Sequence, residues 1–118
     1  MTLDEYNAFC GSLTATTHVV QWGNAHVWKV GGKVFAIGGW HDDGLGVTFK
    51  AGDLAYEVLQ QVPGCRPAPY LASRGMKWIQ SGPDGLSDDA LKKEIVASHE
   101  RVAAGLSKKK RAELGLDV

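Results

Sequence analysis

The chain has little of what would tie it to a membrane, an oxidising compartment or a strongly charged partner. No apolar run approaches the ~20 residues of a membrane helix, and the acidic start Met1-Thr2-Leu3-Asp4-Glu5 lacks the pattern of a secretory leader. Cys10 and Cys65 are its only cysteines. They show neither a paired-thiol motif nor a catalytic signature, so they read as small buried thiols of a cytoplasmic protein. Charge of either sign is not in excess: thirteen Lys and Arg balance thirteen Asp and Glu over 118 residues. No global field then draws the protein to nucleic acid or lipid, and any basic site has to be local. Nucleophile elbows, phosphate loops and paired catalytic carboxylates are also missing. His41-Asp42-Asp43 is the nearest thing to a metal clip, but adjacent residues rarely converge on one ion, and His18, His26 and His99 lack partners at ligand spacing. The expectation is one domain over residues 1–118, not an enzyme, with no cofactor and no metal.

What the chain does have is a hairpin. In Val27-Trp28-Lys29-Val30-Gly31-Gly32-Lys33-Val34-Phe35-Ala36-Ile37, two β-branched and aromatic runs flank a two-residue loop. Glycine takes the two positive φ angles of such a tight turn without steric cost. Counting back from the tip pairs Val30 with Lys33, Lys29 with Val34, Trp28 with Phe35 and Val27 with Ala36. Alternation then puts Trp28, Val30, Phe35 and Ile37 on a core face, and Val27, Lys29, Val34 and Ala36 on a face open to water.

The remaining elements follow from local signals. Thr2-Leu3-Asp4-Glu5 is a capping box for a helix over residues 3–11, with Gly11 as its stop. Residues 16–22 have strand composition, and Leu45-Gly46-Val47-Thr48-Phe49-Lys50 alternates with Leu45, Val47 and Phe49 inward. Asp53 is placed to cap a second helix with Leu54, Val58, Leu59 and Val62 as its apolar stripe. The prolines of segment 65–75 keep it out of a sheet interior, as a surface connection. Residues 76–80 read as a fifth strand. Ser87 caps a third helix whose Leu91, Ile95, Ser98, Val102 and Leu106 share a face, and Ser107 caps a short last helix over 108–114. The order α-β-β-β-β-α-β-α-α predicts an α+β fold of two layers, a largely antiparallel five-stranded sheet with helices on one face.

Trp22-Gly23-Asn24 together with the hairpin, Arg66-Pro67-Ala68-Pro69-Tyr70, Trp78 and Leu106-Ser107-Lys108-Lys109-Lys110-Arg111 resemble the MmcQ/YjbR family of small bacterial proteins, in order and spacing over nearly the whole chain. The resemblance implies a frataxin-like two-layer fold and a DNA-binding role proposed for the family, through a double wing of sheet and loops. His99 follows Ser98 where members of the family often carry tyrosine, a packing change.

A DNA-binding role asks for cations that track phosphates and aromatics for stacking. Lys29 and Lys50 fall on the outward sheet side, Lys33 at the hairpin tip, Arg66, Tyr70 and Arg74 on the proline-rich connection, and Lys77 just beyond. Residues 26–80 carry six basic and four acidic side chains, a surplus of two, and Asp42-Asp43 nearby oppose phosphate. The run Lys108 to Arg111 is denser but opens a helix, where the dipole disfavours cations, and it reads as a solvated face. Backbone contacts with little sequence readout are therefore expected. The alternative is a protein-interaction or chaperone-like module that takes a protein partner or a second copy on the open sheet face, with Val27, Val34, Ala36 and Trp40. No small-molecule substrate is evident.

Overall fold

Helix α1 (Leu3–Ser12) leads into strands β1 (Thr16–Gln21), β2 (Ala25–Val30), β3 (Lys33–Gly38) and β4 (Val47–Lys50). Helix α2 (Asp53–Leu59), strands β5 (Cys65–Pro67) and β6 (Trp78–Ser81), and helices α3 (Asp88–Ala104) and α4 (Lys108–Glu113) complete the order. This computed structural model describes residues 1–71 and 74–116, so Ala72 and Ser73 of the proline-rich connection lie outside the described residues. The strands form one sheet in the order β1-β2-β3-β4-β6-β5, antiparallel at every junction. The fold is α+β, as the sequence predicts, with a sixth strand added. The extra strand is β5, three residues of the connection that pair with β6 at the sheet's edge, where a proline leaves no ladder bond broken in the interior.

Local signals set the helix ends. Thr2 Oγ1 accepts from the Glu5 amide at 3.1 Å while Glu5 Oε1 accepts from the Thr2 amide at 2.9 Å. Ser87 and Ser107 cap α3 and α4 by accepting from Ala90 and Lys110 amides. Two expected signals do not act. Asp53 is the first residue of α2 instead of its cap, which is Gly52 with no side-chain bond. Gly11 lies inside α1, where its lack of a Cβ lets the Trp28 ring pack closely, since a Cβ there would sit 3.1 Å from Trp28 Cη2.

The hairpin tip is as expected, with φ of 58° at Gly31 and 81° at Gly32, and Val30 pairs with Lys33 and Lys29 with Val34. Beyond that the register slips by one, because a bulge inserts Phe35. Trp28 then pairs with Ala36, Val27 with Ile37 and His26 with Gly38. The faces change accordingly. Phe35 and Ala36 both join the core under the helices with Trp28, Val30, Val47, Phe49 and Ile79. Ile37 moves to the opposite face, in a second cluster with Ala25 and Val27. A bulge leaves one residue unpaired and re-aims those after it, so the expected assignment of Ile37 inward and Ala36 outward is reversed.

The outer face is also not open to water. Trp40 and Leu71 pack on Ala25, Val27 and Ile37, and Val27, Ile37, Thr48 and Gln80 are all buried. Leu71, from the segment after β5, and Trp40, from the loop after β3, cover this part of the face. On α2 only Leu59 is buried, while Leu54 (76% exposed) and Val58 (54% exposed) face outward, and Val62, expected on the same helix, lies beyond its end at the core's margin. Leu91, Ile95, Ser98 and Val102 of α3 are all buried, as is Leu106 just past the helix end.

Candidate functional site

The expected site residues separate into two neighbouring places. At one end of the sheet the β2–β3 hairpin turns, β4 finishes, β6 begins and α3 runs out. Lys33, Lys50 and Lys77 meet there, and Arg101 joins them from α3, around a groove of about 550 Å³. Val34, Met76 and Trp78 supply its apolar lining, and among the described residues no carboxylate lines it. Arg101 is held by donating to the Lys50 carbonyl at 3.1 Å. Lys77 donates to Asp53 at 2.9 Å, and this exposed pair raises the Lys77 pKa and lowers that of Asp53. An ion pair this exposed adds little stability. Lys29 is half-buried and, opposite Val34, falls on the outer face of the sheet outside the groove lining.

At the other end, the turn after β1, the loop after β3 and the segment after β5 come together. Trp22, Trp40, Tyr70, Leu71 and Arg74 line a cleft of about 640 Å³. Trp40 is the common neighbour: its ring centroid is 6.1 Å from that of Trp22 and 5.3 Å from that of Tyr70, the latter edge-on. Trp40 Nε1 donates to the Trp22 carbonyl at 3.1 Å. Trp22 is 52% exposed and Tyr70 70% exposed. All three have left-handed backbones, with φ of 54° at Trp22, 58° at Trp40 and 68° at Tyr70.

Arg66 belongs to the support of this cleft. Its Nε donates to Gln80 Oε1 at 2.8 Å, and a terminal nitrogen donates to the Trp40 carbonyl at 3.3 Å. Gln80, fully buried between β4 and β5, donates onward to the carbonyls of Gly39 at 3.1 Å and Trp40 at 2.9 Å. A buried amide is retained only where its hydrogen bonds are met. This one meets them by fixing the Trp40 loop.

Sequence reasoning missed Arg101, Trp22 and Gln80. Arg101 is one of several charges on a long helix, and its spacing carries no hint of β4. Trp22 reads as the end of a strand, and Gln80 as one polar residue in a short apolar run. His41 accepts from the Asp43 amide at 3.2 Å, so His41-Asp42-Asp43 closes a local turn. Lys108, Lys109 and Lys110 stand exposed on α4, apart from both places.

The YjbR family model matches residues 11–101. The crystal structure of Deinococcus radiodurans protein DR2400, with the domain designated DUF419, superposes with a TM-score of 0.84 at 25% identity, covering 98% of this chain and 88% of that one. No curated protein matches the chain.

Proposed function

Since the chain belongs to the YjbR family, and its sheet ends in a basic groove, we propose that it binds DNA through the phosphate backbone with little sequence readout. One observation carries this: Lys33, Lys50, Lys77 and Arg101, from four different elements or their margins, line one groove in which no described residue contributes a carboxylate. A chain of zero net charge that gathers Lys33, Lys50 and Arg101 in one place, beside a Lys77 already paired with Asp53, has a local field there, which is what anionic backbones answer to. The groove presents no recognition helix and no paired amides to a base edge, so contacts made there are to phosphate.

The interface differs from the expected one. An outer sheet face lined by Lys29 and Lys50 is replaced by the sheet's end, because Trp40 and Leu71 cover the middle of that face. Of the residues expected on a docking face, Val27 is fully buried under that covering and Ala36 lies in the core under the helices, while Val34 and Trp40 stay half-buried.

Fluorescence anisotropy of labelled duplex at two salt concentrations tests the proposal. With ~3 to 4 phosphates neutralised, the expected slope of log K against log salt is about −3. Lys33→Glu with Lys50→Glu should flatten the slope and weaken binding, while Lys109→Glu with Lys110→Glu should do much less. Absence of binding at low salt up to ~100 μM protein would overturn it, because non-specific binders reach that range.

A further inference from the structure

Five non-glycine residues of the described chain have positive φ, and three of them are Trp22, Trp40 and Tyr70. A bulky side chain in the left-handed region is a conformational outlier. Such strain persists only where the surroundings over-determine it, and it concentrates at ligand-binding sites. Here the surroundings are specific. Gln80 and Arg66 hold the Trp40 carbonyl, and Trp40 in turn holds the Trp22 carbonyl. The result is a cleft with Trp40 between two half-exposed or exposed rings, lined among the described residues by the Arg74 guanidinium and by no carboxylate.

We propose that this cleft is a stacking site for an unpaired nucleobase, with Arg74 taking the adjacent phosphate. Aromatic faces accept any base, and a neighbouring cation supplies the backbone contact. The position favours a strand over an isolated ligand. Arg74 at the cleft and Lys77 at the basic groove are three residues apart, a span of at most roughly 11 Å of chain. One segment therefore borders both places, and a single strand of a few nucleotides runs from stacked bases to the four cations. The proposal rests on the nucleic-acid function proposed above and adds to it the form of the ligand: single-stranded, with at least one base splayed out.

The test compares oligothymidylate with a duplex of equal length, by anisotropy and tryptophan quenching, on the full chain. Trp22→Gly and Tyr70→Gly remove the rings while keeping a backbone that suits positive φ. The wild type should bind the single strand more tightly than the duplex. Each variant should weaken single-strand binding roughly ten-fold, in the range of a lost base stack, while duplex affinity and the salt slope stay unchanged. If single-strand binding falls with Trp22→Gly but survives Lys33→Glu with Lys50→Glu, the cleft stands and the groove falls. If it falls only with the lysine reversals, the groove stands and the cleft proposal is overturned. Failure to bind either nucleic acid overturns both, as does quenching by a proline-rich peptide in place of oligothymidylate.

Discussion

The hydroxyl of Ser98 donates to the carbonyl of Phe35 at 2.7 Å, across 63 residues of sequence, and it accepts from the Lys50 amide at 2.9 Å. These two backbone groups stand one step beyond Ala36–Phe49, the last pair of the β3–β4 ladder at that end. Where the bulge at Phe35 ends direct pairing, a side chain from α3 closes the gap. The serine thus locks helix to sheet and positions Lys50 at the groove.

Ser98→Ala leaves a buried carbonyl, that of Phe35, and a partly buried amide, that of Lys50, without their partner. The loss should be about 1–3 kcal/mol, the cost of orphaned buried polar groups. Urea denaturation checks this as a lowered midpoint at unchanged slope. A loss below ~0.5 kcal/mol would mean that the strands re-pair directly.

The two turn glycines should differ. Both need left-handed backbone, which costs a side-chain-bearing residue roughly 1–2 kcal/mol. A Cβ on Gly31 would also meet Leu106 Cδ1 at 2.5 Å, whereas one on Gly32 meets nothing within 4 Å. Gly31→Ala is therefore expected to destabilise clearly more than Gly32→Ala in parallel denaturant melts. Equal losses would show that Leu106 yields freely.

Thiol labelling should separate the two cysteines. Burial pushes the Cys10 thiol up to about 12, and the residue is fully buried on the core side of α1. Cys65 is half-buried, with burial again raising its pKa. Reaction requires the thiolate, so iodoacetamide at neutral pH should modify Cys65 slowly and Cys10 only on unfolding. Comparable rates in the native state would indicate that α1 opens readily.

His18 gives a pH dependence with a definite sign. Its ring stacks on Trp28, with centroids 4.6 Å apart, and its Nε2 lies 3.0 Å from His26 Nδ1. Asn7 Oδ1 accepts from Trp28 Nε1, which leaves Asn7 Nδ2 to donate to His26 Nδ1. His26 Nδ1 is then the acceptor and His18 the donor. Burial first, and the His26 charge second, lower the His18 pKa below the ordinary 6.5. The unfolded chain therefore takes up this proton at a higher pH than the folded one. Stability from this site is complete above pH 6.5 and is lost as pH falls through the folded-state value. A ring-proton titration by NMR should place His18 below 6.5, and the wild type should lose more stability than His18→Gln between pH 8 and pH 5. The exposed position of His18 keeps the difference small.

What a few consecutive residues decide among themselves is legible along the chain. Thr2 with Glu5, Gly31 with Gly32, Ser87 and the stripe from Leu91 to Leu106 are such cases, because caps, tight turns and helical periodicity depend on neighbours within about one or two turns. They were enough for the α+β class and for the cations worth watching. The tertiary structure decided the rest. One inserted residue at Phe35 sends Ile37 to the other face, and nothing within the hairpin's own alternation records that insertion. Its partners lie far off: Ser98 on α3 at Phe35, and the Tyr6 ring against Gly38, where a Cβ would come within 2.6 Å. Arg101 reaches the basic groove only because α3 lies across β4. Trp22, Trp40 and Tyr70 become one cleft only because Gln80, forty residues from Trp40, spends its buried amide on that loop. Those arrangements are set by long-range packing and by the need to satisfy buried polar groups, and neither is written in the spacing of adjacent residues.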